Sequence, residues 1–149
     1  LSAPSSWRRI RWVSGRLAVC RLEPGADEGV PPPLAAGEFL SITRAPGEIS
    51  VVCEERFAPP GARVEGGWAA MRLEGPIPFE ATGVLASLAT PLAAAAVGIF
   101  AVSTYDTDYV LVKEADASRA QAALEAAGFI FRPEEPASSG SEPAARASS

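Results

Sequence analysis

The chain repeats itself, and the repeat limits its fold more than any other feature. Residues 39–54, FLSITRAPGEISVVCE, lie without a gap over residues 99–114, IFAVSTYDTDYVLVKE, so that apolar positions meet apolar positions and Glu48 falls on Asp108. Upstream, AVCRLE at 18–23 matches AAMRLE at 69–74. Self-similarity at this spacing means two copies of one supersecondary unit. The alternation inside each copy reads as a strand, a connection and a two-stranded hairpin.

The copies differ in their connections. Between residues 75 and 98, Val84, Leu85, Leu88 and Leu92 recur at helical spacing, with Thr82 in the position of an N-cap. Pro91 removes one backbone donor from this helix and is expected to bend it. After the second hairpin, Asp116 stands as N-cap of a helix through Ala127, with Ala120, Ala123, Leu124 and Ala127 on one face. Gly128 then fits a left-handed C-cap and FIF at 129–131 a last strand, so this copy reads βαββαβ. In the first copy, PGADEGVPPPLAAGE at 24–38 and RFAPPGARVEGG at 56–67 are too rich in Pro and Gly for more than a turn of helix.

The expected fold is α+β: two tandem ferredoxin-like units, antiparallel sheets with helices on one face, the first unit with reduced helices. The expected boundaries are an N-terminal arm at 1–14, a first unit at 15–67, a second at 68–132 and a disordered tail at 133–149. Both faces of the second hairpin are apolar, Ile99 and Ala101 on one, Phe100 and Val102 on the other. One face takes the helices, and the other needs a cover from the first copy or another subunit.

Composition excludes whole mechanisms. There is no histidine, hence no Ser-His-Asp or Cys-His nucleophile and no His-ligated zinc or haem. Cys20 and Cys53 sit in apolar alternating segments without Cys-x-x-Cys spacing; they read as reduced core thiols, with a cross-strand disulfide as the alternative. A net charge of -5 gives no electrostatic footprint for nucleic acid. The local run WRRIRW at 7–12 reads as a solvated or strand-leading arm. GVLASLATPLAAAAVGIFAV at 83–102 has the length of a membrane span, but alanine dominates it, Ser87, Thr90 and Pro91 interrupt it, and neither end carries a basic anchor. It reads as a buried helix running into a core strand. With no apolar segment behind the basic N-terminal residues, the protein is expected in the cytoplasm. No cofactor is indicated.

STYDTD at 103–108 holds more polar chemistry than a turn requires, and its tip, Tyr105-Asp106, is not the Asn-Gly or Asp-Gly of a tight hairpin. Together with PFEATG at 78–83 it carries a resemblance: residues 75–114, within a stretch from about 15 to 131, resemble the tandem ACT-domain proteins, bacterial relatives of the CASTOR-type cytosolic arginine sensors. The resemblance implies βαββαβ modules that bind amino acids or other small effectors and have no catalytic activity of their own. It implicates Thr82 and Gly83 at the helix start, and Thr104, Tyr105 and Asp108 in the hairpin. Where the arginine sensors hold an acid beside the position of Glu80, this chain has Ala81, so the resemblance does not fix arginine as the ligand.

The chemistry of these positions agrees. A helix start at Thr82, Gly83 and Val84 offers backbone donors to an α-carboxylate. Asp108, Asp106 or Glu80 can pair with an α-ammonium or a cationic side chain. Gly98, where the connection ends, completes the candidate set. The plain alternative is that Thr82 only caps its helix and Asp106 and Asp108 only solvate a turn. The resulting expectation is a regulatory protein that binds a small molecule, an amino acid foremost, as a homodimer through its second unit. No nucleic-acid or membrane partner is expected, and the downstream protein is unknown. The alternatives are a structural or protein-interaction module with a vestigial pocket, and an enzyme or metal site built on Asp106 and Asp108.

Overall fold

A computed structural model describes residues 6–24 and 37–133. The alternating segments form eight strands: β1 Arg9–Trp12, β2 Leu17–Leu22, β3 Leu40–Ala45, β4 Glu48–Glu54, β5 Arg63–Leu73, β6 Phe100–Ser103, β7 Asp108–Lys113 and β8 Ile130–Arg132. The helices α1 Val84–Ala94 and α2 Ala117–Ala126 both belong to the second copy, which runs β5-α1-β6-β7-α2-β8. Among the described residues the first copy has only a 3-10 turn, Glu55–Phe57, in its connections. Residues 25–36 of its first connection, and 134–149 of the expected tail, lie outside the described residues.

The two copies do not form two separate ferredoxin-like sheets. All strands join one curled mixed sheet in which β3-β4-β2-β5-β1-β8 are successive neighbours, with β7 and then β6 on the other side of β5. The reason is β5, which spans 11 residues. Its first half pairs with β2, from Arg21↔Arg63 to Leu17↔Trp68, and its second with β1, from Trp12↔Met71 to Ile10↔Leu73. It therefore runs across the boundary expected at 67/68. Residues assigned to an N-terminal arm supply β1, which lies between β5 and β8 and is parallel to β8. Gly15, at φ 88, makes the corner between β1 and β2 in the left-handed region that glycine adopts without a Cβ penalty.

The order β3-β4-β2 is repeated as β6-β7-β5 across the β2/β5 seam. The offset that puts Ala18 on Ala69 also puts Leu17 on Trp68, and these two are register partners. A local two-fold thus passes through the seam.

Three apolar clusters follow from the alternation. Met71, Leu73, Val110 and Val112 face Val84, Leu88 and Leu92 of α1 and Ala120 and Leu124 of α2. On the opposite face, Ala70 and Leu111 pack with Leu17 and Val52, and Phe39 meets Tyr109 edge-on at 4.9 Å between centroids. The first copy therefore covers the second hairpin's other face. The third cluster joins Ala18, Cys20, Val51 and Cys53 on the outer face of the first copy. Both cysteines are free thiols. Cys20 lies opposite Val51 and Cys53 opposite Ala18, which makes them diagonal neighbours on one face, and burial pushes Cys53 up to about 11.

The apolar segment 83–102 divides into α1, a turn and the start of β6. No helix of the described residues is long and apolar enough to cross a membrane. Asp116 does precede α2, but its backbone is αR and it makes no cap bond; its carboxylate instead accepts from Arg119 at 2.9 Å.

Candidate functional site

The β5–α1 loop and the β6–β7 hairpin are fastened to each other by backbone. Ile77 N–H donates to the Asp106 carbonyl at 2.7 Å, and the buried Thr107 hydroxyl donates to the Leu73 carbonyl at 2.8 Å. A Cβ on Gly75 would stand 2.8 Å from the Asp106 carbonyl oxygen, so this crossing requires glycine. Within the hairpin, Thr104 N–H donates to the Thr107 carbonyl at 2.8 Å, and the Thr104 hydroxyl accepts from Thr107 N–H at 3.2 Å. The Ser103 hydroxyl donates to Asp108 Oδ1 at 2.6 Å.

Between loop and hairpin lies a cavity of about 220 Å³, with Ile77, Phe79 and Val84 on one side and Thr104, Tyr105 and Asp108 on the other. Its lip is aromatic. Phe79 is 71% exposed and Tyr105 81%, and the rings meet edge-on at 4.8 Å between centroids. Asp106 also lines the cavity, and its carboxylate has no hydrogen-bond or ion-pair partner among the described residues.

Of the residues singled out in the sequence, Val84, Thr104, Tyr105, Asp106 and Asp108 meet at this cavity, whereas Glu80, Thr82, Gly83 and Gly98 do not line it. Thr82 is not the N-cap. That position belongs to Gly83 at φ 74, with no side-chain cap bond. The first amides of α1 are thus left without a side-chain acceptor of their own. Ile77, Pro78, Phe79, Ala81, Ser103 and Thr107 line the cavity without having been singled out. Ser103 and Thr107 belong to the same polar run; the apolar residues carried no signal that separates a cavity wall from core. Among the described residues no cluster of acids and thiols could hold a metal ion.

A larger cavity, about 890 Å³, opens where the copies meet, between Trp12 and Arg16 near the β1–β2 corner, Glu54 and Glu55 at the end of β4, and Glu114 and Gln121 around α2. Arg16 bridges it, 2.9 Å from Glu114 and 3.5 Å from Glu55. The hydrogen bond to Glu114, then its charge, hold the guanidinium above its ordinary pKa. Trp12 Nε1–H donates to Gln121 at 2.8 Å. The registers Leu17↔Glu54 and Trp68↔Lys113 equate Glu55 with Glu114 at this cavity, one residue off the ungapped repeat of the sequence. Its main charges are paired internally, so the smaller cavity, with its unpartnered carboxylate, is the stronger ligand site.

A family model described as the ACT domain matches residues 63–126, and a second, described as an N-terminal domain, matches residues 15–60. No curated protein matches the chain. Among solved structures, the X-ray crystal structure of protein Atu0741 from Agobacterium tumefaciens is 34% identical, covers 86% of this chain and 94% of its own, and superposes with a TM-score of 0.77. Aspartate kinase from Synechocystis shares 20% identity at a TM-score of 0.67, over 92% of this chain and 29% of the kinase. The ligand-free regulatory subunit of aspartate kinase from Thermus thermophilus shares 14% identity at a TM-score of 0.57, over 76% and 93%. The two kinase likenesses are likenesses of fold. These matches support an ACT domain and provide no tie to the CASTOR arginine sensors. At 34% identity over most of both chains, and with residues 63–126 matched as an ACT domain, the chain belongs to the family of Atu0741 and is an ACT-domain protein.

Proposed function

We propose that the protein is a regulatory module that binds a small zwitterion, an amino acid foremost, between the β5–α1 loop and the β6–β7 hairpin, and that it has no catalytic activity of its own. The observation that carries this reading is the Asp106 carboxylate, unpartnered among the described residues at a cavity that also reaches Val84, the first residue of α1. The carboxylate suits an ammonium group and the helix start suits a carboxylate. At about 220 Å³ the cavity falls below the roughly 300–1,000 Å³ typical of drug-sized ligands, which favours a small metabolite. The aspartate kinase regulatory subunit is a precedent of fold for regulation without catalysis in the same chain. A kinship with the arginine sensors is the finer form of this reading.

The same reading includes a homodimer through the second copy, where the exposed Phe79 and Tyr105 would be covered. It also includes a reducing, cytoplasmic setting, which the free thiols suit. The alternative, a structural module with a vestigial pocket, draws on the bonds that tie Thr104 and Asp108 into the hairpin itself.

Thermal melts against each of the twenty amino acids separate the two. A ligand at about 100 times its Kd adds roughly 2.7 kcal/mol, a shift of a few degrees for a domain of this size. A shift with one amino acid that disappears in Asp106→Asn supports the regulatory module. A flat panel from well-folded protein rejects it in favour of the structural one.

A further inference from the structure

The basic run at 7–12 plays no part in the hairpin cavity. In β1, Ile10 and Trp12 pack under the helices, so Arg9 and Arg11 lie on the sheet's other face. The register places Arg11 opposite Arg72 of β5 and, on its other edge, opposite Arg132 of β8. Three arginines from three adjacent strands thus form a row on the helix-free face, and Arg9 extends it one step along β1.

Like charges directly opposite each other across strands are destabilising. Glu74 serves this row, 2.9 Å from Arg11 Nε and 3.9 Å from Arg132 Nε. Arg11 also donates to the Pro133 carbonyl at 3.2 Å. Arg72 has neither contact, and its Nε is buried without a hydrogen-bond partner. The first copy shows what β1 changes. There the matching residues, Arg21 and Glu23, form an ion pair with each other. In the second copy β1 brings Arg11 to Glu74, and Arg72 loses its acid.

We propose that this row binds a phosphate group, free or carried on a small phosphorylated molecule. Guanidinium forks pair with tetrahedral oxyanions two N–H groups at a time. Arg72, whose Nε has no hydrogen-bond partner, and Arg132 present guanidinium groups on either side of Arg11, and a phosphate dianion near neutral pH can accept from both. The row is reachable, with the side chain of Arg132 43% exposed and that of Glu74 22%. It is also separate from the hairpin cavity: Tyr109, opposite Arg72, faces away from the helices, whereas its neighbour Asp108 lines the cavity. Both sites can therefore be filled together.

The test is calorimetric titration of the full chain with inorganic phosphate and with glycerol phosphate, at ionic strength held constant with chloride. Saturable binding is expected, weakened by about tenfold or more in Arg72→Gln and unchanged in Arg63→Gln, which lies at the far end of β5. If Arg72→Gln does not fold, the same loss is read from Arg132→Gln. Tighter binding of the ester identifies a phosphorylated molecule as the source, and equal binding the free anion. Binding that chloride competes away entirely, or that Arg63→Gln weakens as much as Arg72→Gln, overturns the proposal.

Discussion

The two copies lay down the same three strands and then cover them differently. In the second, α1 and α2 bring Leu88, Leu92 and Leu124 onto the sheet. In the first, the outer face holds the small side chains of Ala18, Cys20, Val51 and Cys53, with Ala58 and Ala62 of the following connection packed against them. The hairpins differ in step with this. The first turns tightly at Pro46-Gly47, between Ala45 and Glu48. The second leaves residues 104–107 between its strands, and its tip bonds to the loop that leads into α1. The hairpin cavity forms where a long connection and a long hairpin tip meet. The shortened copy keeps the strands that complete the sheet and cover its partner.

The sharpest challenge to this contrast is a pair of core truncations. Leu124→Ala should cost about 2–5 kcal/mol in urea unfolding, because the cavity it leaves lies between helix and sheet. Val51→Ala in the first copy should cost less, about 1–3 kcal/mol. Equal losses would mean that the thin cover holds as firmly as the helices.

Glycine substitutions at the loop that crosses the second hairpin and at the turn of the first come next. Gly75→Ala drives a Cβ against backbone and should cost about 1–3 kcal/mol while abolishing any ligand-induced shift. Gly47→Ala has open space and meets only the left-handed backbone at φ 77, so about 1 kcal/mol is expected, with ligand response intact. A ligand response that survives Gly75→Ala would detach the site from the fastening of loop to hairpin.

An alkaline titration reads the first copy alone. Burial raises both thiols, Cys53 from 9.0 to about 11, so the folded state keeps protons that the unfolded chain releases. Their contribution is complete below pH 9 and is lost as pH climbs towards 11. The difference in stability between the wild type and Cys20→Ala/Cys53→Ala should shift across that window and stay level below it. The smallest effect belongs to the bridge between the copies. Arg16→Ala should destabilise slightly in dilute buffer and not at all in molar salt, because the pairs it breaks are open to solvent.

The strands of both copies were legible in the sequence because alternation is local, and the same holds for α2, whose end at Ala126 is followed by Gly128 with φ 97. The sharing of one sheet was not legible. Arg9–Trp12 is a strand only because β5 and β8 lie on either side of it, and those partners are about 60 and 120 residues away in the chain. The start of α1 was displaced by one residue because Thr82 has the side chain of a cap, while the backbone turns at Gly83. STYDTD marked one wall of the cavity, since six successive polar residues exceed what a turn needs. Ile77 and Phe79 opposite look like any other apolar residues until the fold removes their neighbours. The junction cavity draws on separate segments, none of which is unusual by itself.

The parallel pairing of β1 with β8 also has a kinetic meaning. The first described strand lies beside the last, so the far edge of the sheet stays open until residues near Ile130 have been synthesised. Contacts of such long sequence separation close slowly. During that interval the outer edge of β1, at Arg9 to Arg11, stays unpaired, and an open edge of this kind is a template for pairing with a neighbouring chain.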